Sequence, residues 1–201
     1  RGKDEEGMDV QERWETQDEE LAEFVEKSGI EGYNIEFRSP TPYFKANGKY
    51  TISGAANNQE KMLRCFGPDF ENDPIYHGDK ERFLNDFADT LVEDFKRMRA
   101  DGLPIVQFSL QNEPAITSVY GDYSHCYYTP QAYYETCKVV LPKLKEAFPD
   151  LFIHATSWEG QNAEESKMIK EDQELFPCVD GWSYHRVGYN SNDPLDSADY
   201  L

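Results

Sequence analysis

Stretches with the period of a strand alternate with stretches that have the period of a helix, and this alternation restricts the fold more than any other feature of the chain. Tyr33 to Arg38 sets Tyr33, Ile35 and Phe37 on one side and Asn34, Glu36 and Arg38 on the other. Between Asp79 and Gly102, Phe83, Leu84, Phe87, Ala88, Leu91, Val92 and Phe95 recur at helical spacing. Strand signals return at 103–110, Phe152 to Ser157 and Val179 to His185. Helix signals return from Thr129, a cap residue followed by Pro130, to about Phe148, and from about Ala163 to Leu175. Strand, helix, strand in this order implies parallel strands with right-handed crossovers. The expected class is therefore α/β, a parallel β/α barrel of the TIM type. It is expected only in part, since 201 residues fall short of the about 250 that eight units need. Four strands would leave two open edges, so the missing parts of the chain's own barrel are expected partners.

The segment Leu103 to Pro114 reads as a buried strand that ends in polar chemistry. Gly102 and Pro104 separate it from the preceding helix. Strict alternation puts Val106, Phe108 and Leu110 on the helix side and Gln107, Ser109, Gln111 and Glu113 inside. Pro114 has no N–H and disfavours helical geometry at Glu113, so the chain must turn where the carboxylate emerges. On the first strand, Glu36 and Arg38 would share the interior. Either they pair and fill it, or Arg38 holds the charge of Glu113 or its partner. The connection from 39 to 78 is longer than the ~12–15 residues that need no explanation, and loops of that kind build clefts.

At the N-terminus, Arg1 to Glu15 is charged and expected to be mobile, leaving 16–201 as the folded unit. Thr16-Gln17-Asp18-Glu19 has the form of a capping box before a short helix that Gly29 would end. The net charge of −19 argues against nucleic acid or an anionic membrane as partner. No stretch has the ~20 apolar residues of a membrane span. Cys65, Cys126, Cys137 and Cys178 allow three complete pairings. Cys65 with Cys126 is the favoured one, because both would sit on loops at the strands' C-terminal ends, and Cys137 inside a helix is expected to be a buried thiol. No metal-ligand spacing and no cofactor motif is present in the sequence, and it contains no Asn-x-Ser/Thr sequon.

Gln111-Asn112-Glu113-Pro114 after an apolar strand, followed by an aromatic loop with Cys126 and then Thr129-Pro130-Gln131, resembles the retaining glycoside hydrolases of clan A, and family 30 most. Ser39-Pro40-Thr41-Pro42-Tyr43-Phe44-Lys45-Ala46-Asn47-Gly48 resembles that family's Ser-Pro-Pro-x-Trp-Met-Lys-x-Asn-Gly segment, with Thr41, Tyr43 and Phe44 departing from it. The resemblance covers roughly 30 to 190. It implies barrel strands three to six and a secreted or extracellular hydrolase of a β-linked oligo- or polysaccharide, which the negative charge makes a neutral one.

The resemblance also implies roles. Glu113 would be the general acid/base, and Asn112 would bind the sugar 2-hydroxyl. Glu159 would take a pocket role, and His185 would lie near the reaction centre unless it is a satisfied core histidine. The nucleophilic glutamate would follow strand seven, beyond this chain, so 201 residues alone are expected to be inactive. From the residues themselves, Trp158 leaves a strand at the cleft end and is either a sugar platform or core. Tyr43, Tyr120 and Tyr189 are further aromatic candidates, and Trp182 is expected under the helices. A non-catalytic glycan-binding or structural protein on the same barrel is the alternative.

Overall fold

The computed structural model describes residues 15–118, 123–155 and 163–185. Its elements run α1 (Glu15–Ser28), β1 (Tyr33–Glu36), α2 (Lys80–Ala100), β2 (Ile105–Ser109), α3 (Pro130–Ala147), β3 (Phe152–Ala155), α4 (Glu164–Glu171) and β4 (Gly181–Trp182). The four strands form one sheet in the order β1-β2-β3-β4, every pair parallel. Sequence neighbours are thus sheet neighbours, with a helix in each crossover, as the alternation requires.

Helix limits follow local chemistry. Asp79 caps α2 by accepting from the Arg82 amide at 2.9 Å, and Thr129 caps α3 by accepting from the Ala132 amide at 3.1 Å, with Pro130 at the first turn. Gly29 and Gly102 follow α1 and α2 in the left-handed conformation that stops a helix. Three ends differ from expectation. α1 starts at Glu15, so Thr16 lies inside the helix and not at its cap. α4 stops at Glu171, because the Asp172 carboxylate accepts from the amides of Glu174 and Leu175 and turns the chain. β4 pairs over two residues only.

The core lies between the sheet and α2 and α3. From α2 it takes Phe83, Leu84, Phe87, Ala88, Leu91 and Phe95, and from α3 Tyr133, Cys137, Val140 and Leu144. Phe108 anchors it, meeting Phe37 at 5.8 Å and Phe95 at 5.3 Å edge-on. Burying that ring contributes roughly 1.5–3 kcal/mol before its aromatic contacts are counted. Trp182 packs on the same core, as expected, with the Lys170 ammonium 5.1 Å over its ring. α1 is different, because Leu21 and Phe24 stand in solvent.

β2 corrects the strict alternation. Tyr33 pairs with Ile105 but Asn34 pairs with Gln107, so Val106 is an extra residue in the ladder. Ile105 and Phe108 therefore both face the core, and Val106 is only half-buried. The bulge sits against Gly32, where a Cβ would lie 2.3 Å from the Pro104 carbonyl oxygen and 2.8 Å from Val106 Cγ1. Past the bulge the predicted phase holds, with Phe108 and Leu110 in the core.

All four cysteines are thiols, so the expected Cys65–Cys126 disulfide is not formed. Both are buried, and burial pushes the Cys126 thiol up to about 11 and the Cys65 thiol higher still. Cys137 is fully buried and unbridged, in agreement with the packing argument.

Candidate active site

Two long connections meet at the C-terminal end of β1 and β2. Thr51 and Ser124 form an antiparallel bridge, the His125 amide donates to Tyr50 O at 3.0 Å, and the Tyr127 amide donates to Lys61 O at 3.0 Å. The Lys45 ammonium, 1% exposed, reaches across and donates to His125 O at 2.6 Å. Burial holds the Lys45 amine below its ordinary range. Asn47 donates to Thr51 O at 2.8 Å, so the segment from Ser39 to Gly48 acts here as an anchor for the loop after β2. Tyr43 belongs to the same anchor. Its hydroxyl is 3.1 Å from that of Tyr76, its ring meets Phe44 edge-on, and Arg64 lies 4.8 Å over it.

The ladder between β1 and β2 continues past the strands. The Phe37 amide donates to Ser109 O at 3.3 Å, and the Asn112 amide donates to Phe37 O at 2.6 Å. Gln111 is fully buried and its amide group donates to Arg38 O at 2.8 Å and Asn112 O at 2.9 Å, which locks the backbone on both sides of the rim. Asn112 is buried as well. Glu113 follows with φ 51, in the left-handed region, and the Ile116 amide donates to its carbonyl at 3.1 Å. This turn, which runs through Pro114, swings the Glu113 carboxylate toward His185.

There it meets β4. His185 Nδ1 is 2.9 Å from Glu113 Oε1, and His185 Nε2 is 4.0 Å from Glu36 Oε2. Beneath them His154 on β3 pairs its Nε2 with Asn34 Oδ1 at 3.2 Å and its Nδ1 with the Ser183 hydroxyl. Burial lowers the His154 imidazole, the Glu36 carboxylate opposing it. Side chains of β1, β3 and the segment after β4 thus form two tiers, with the carboxylate of Glu113 at the upper one. His125 behind Glu113 is fully buried, Nε2 at 3.0 Å from Ile116 O, and burial depresses it to about 4.

The structure therefore brings Glu113, His185 and Asn34 to one side of the sheet. Trp158, Glu159, Tyr120 and Tyr189 lie outside the described residues. Glu36 and Arg38 do not pair with each other. Glu36 faces His185, and Arg38 turns its guanidinium over the Tyr123 ring at 4.7 Å. Glu36 is the site residue that the sequence did not single out. Its period-2 position beside the rim was the available signal, and assigning it to Arg38 hid it. No group of His, Cys, Asp and Glu among the described residues could hold a metal ion. A groove of about 820 Å³ between α1 and the start of β2, lined by Ala22, Arg99, Pro104 and Val106, lies at the opposite end of that strand from Glu113.

Solved structures share this fold. The family 30 subfamily 8 xylanase from Clostridium acetobutylicum superposes with a TM-score of 0.58 at 19% identity, over 85% of this chain and 39% of that one. An endo-β-1,6-glucanase superposes at 0.65 and 17% identity, over 92% of this chain and 39% of that one. Xylanase C of family 30 from Talaromyces cellulolyticus gives 0.53 at 13% identity, over 81% and 34%. The fold is part of a β/α barrel. The chain spans about two fifths or less of the length of these glycosidase structures. No protein-family model and no curated protein matches it.

Proposed function

We propose that this barrel segment carries the general acid/base of a retaining glycoside hydrolase acting outside the cell on a β-linked, neutral glycan, with Glu113 in that role. The observation that carries the reading is the inward Glu113 carboxylate at the C-terminal end of β2, 2.9 Å from His185 at the end of β4. In a β/α barrel that end is where chemistry is done.

Glu113 would protonate the glycosidic oxygen as a glutamate on a later strand, about 5–5.5 Å away, attacks the anomeric carbon. In the second step Glu113, now a carboxylate, takes a proton from the water that releases the sugar. Asn112, held by its backbone bond to Phe37, would meet the 2-hydroxyl. Trp158 and Tyr43 would supply aromatic faces, and Glu159 a pocket carboxylate. The excess of acidic groups disfavours an anionic polysaccharide. Among the described residues no helix is long and apolar enough to cross a membrane.

The test compares the full-length protein with its Glu113→Gln variant on polysaccharides and on activated aryl glycosides. Glu113→Gln should lose roughly 10² to 10⁴-fold on polysaccharides and much less on aryl glycosides, whose leaving groups depart without a proton. Equal activity in both proteins removes Glu113 from the mechanism. Glycan binding without hydrolysis by the wild type would favour a binding protein instead.

A further inference from the structure

Glu36 has no part in the mechanism just given, yet its geometry ties it to that site. His185 lies between two carboxylates from different elements, Glu113 Oε1 at 2.9 Å from Nδ1 and Glu36 Oε2 at 4.0 Å from Nε2. The side chains of His185, Glu36 and Glu113 are 25%, 27% and 19% exposed, so water screens them less than it would on an open surface. The register of β1 fixes Glu36 there. Ile35 beside it packs on the core, and Glu36 itself lies opposite Ser109 on β2. Among the described residues, the ionisable groups nearby include His154 on β3, within the field of Glu36, and His125, within the fields of Glu113, Arg38 and Lys45.

We propose that Glu36 is a positioning residue that holds His185 as imidazolium, Nε2–H toward Glu36 and Nδ1–H donated to Glu113. One transferable proton then stays against the Glu113 carboxylate. The use of that proton rests on the hydrolase reading. It passes from Nδ1 to Glu113 Oε1 and from Glu113 to the leaving oxygen, which leaves His185 neutral, and the water of the second step returns it by the same route. The imidazole and Glu113 share the proton as one coupled pair.

The protein has four histidines, so the ring nitrogens of a ¹⁵N-labelled sample can be assigned and their protonated fraction read at fixed pH, near pH ~6.5. Glu36→Gln, which keeps the shape and removes the charge, should reduce the ratio of protonated to neutral His185 about two- to fivefold, the worth of a partly exposed ion pair. Glu36→Asp should fall between Glu36→Gln and the wild type. An unchanged ratio in a natively folded Glu36→Gln overturns the proposal. If Glu36→Gln loses its native amide spectrum, the wild type decides: raising salt from about 0.01 M to about 1 M should lower the ratio, and a ratio that does not move overturns it. Absence of hydrolysis by the full-length protein would overturn the hydrolase reading, while the protonated fraction of His185 would still decide the part played by Glu36.

Discussion

Acidification should weaken this fold through His125 before most carboxylates begin to titrate. The imidazole is fully buried, its Nε2 lies against Ile116 O, and Nδ1 has no hydrogen-bond partner among the described residues. Burial lowers it from 6.5 to about 4, with the charges of Lys45 and Arg38 acting in the same direction. The folded protein thus keeps the ring neutral where the unfolded chain takes up a proton. The contribution is complete above about pH 6.5, is lost progressively as pH falls towards about 4, and changes no further below that. A gap of about 2.5 pH units at about 1.4 kcal/mol each comes to about 3.5 kcal/mol. His154, lowered by burial as well, adds to the same slope. Urea unfolding at steps between pH ~7.5 and pH ~5 measures it, and most of the slope should vanish in His125→Gln, whose amide can still donate to Ile116 O. Parallel slopes in the wild type and His125→Gln would refute the assignment of the proton to His125.

Other expectations concern the scaffold. Thr129→Ala should cost about 1 kcal/mol in urea unfolding, because it leaves the Ala132 amide at the start of α3 without its acceptor. Gly32→Ala should cost about 1–3 kcal/mol, since the new methyl group meets the Pro104 carbonyl and Val106 and the bulge must shift. Iodoacetamide should label Cys178 first, as it is the one cysteine that is not buried, with Cys65, Cys126 and Cys137 reacting only on unfolding; mass spectrometry of the native and denatured protein checks this.

The framework of the fold was legible because its signals are local. The apolar stripe of α2, the Thr129-Pro130 start of α3 and the alternation of β1 each identify an element, and alternating elements leave a parallel sheet as the arrangement. The bulge at Val106 was not legible. Strict period 2 places Ile105 opposite Phe108, and only the contact with Gly32, some seventy residues away in sequence, reverses that. The site divides in the same way. Glu113 was marked by its own neighbours, Asn112 and Pro114. The partnership of Glu36 with His185 joins the first strand to the last and depends on how three strands stack, which no local pattern encodes. The Cys65–Cys126 pairing failed for a related reason, since sharing a layer of loops does not fix the orientation of two Cβ atoms.

If Glu113 has the proposed role, its left-handed backbone sets stability against chemistry at that position. A side chain with a Cβ is strained there by about 1–2 kcal/mol, Pro114 narrows the choices further, and only glycine, or asparagine to a lesser degree, adopts φ 51 with ease. A library randomised at position 113 and sorted for folding alone should therefore enrich glycine and asparagine above the natural glutamate. Drift under selection for stability alone would erase the carboxylate, so under the proposed role it is the work of the side chain, and not the needs of the fold, that keeps an acid at this turn.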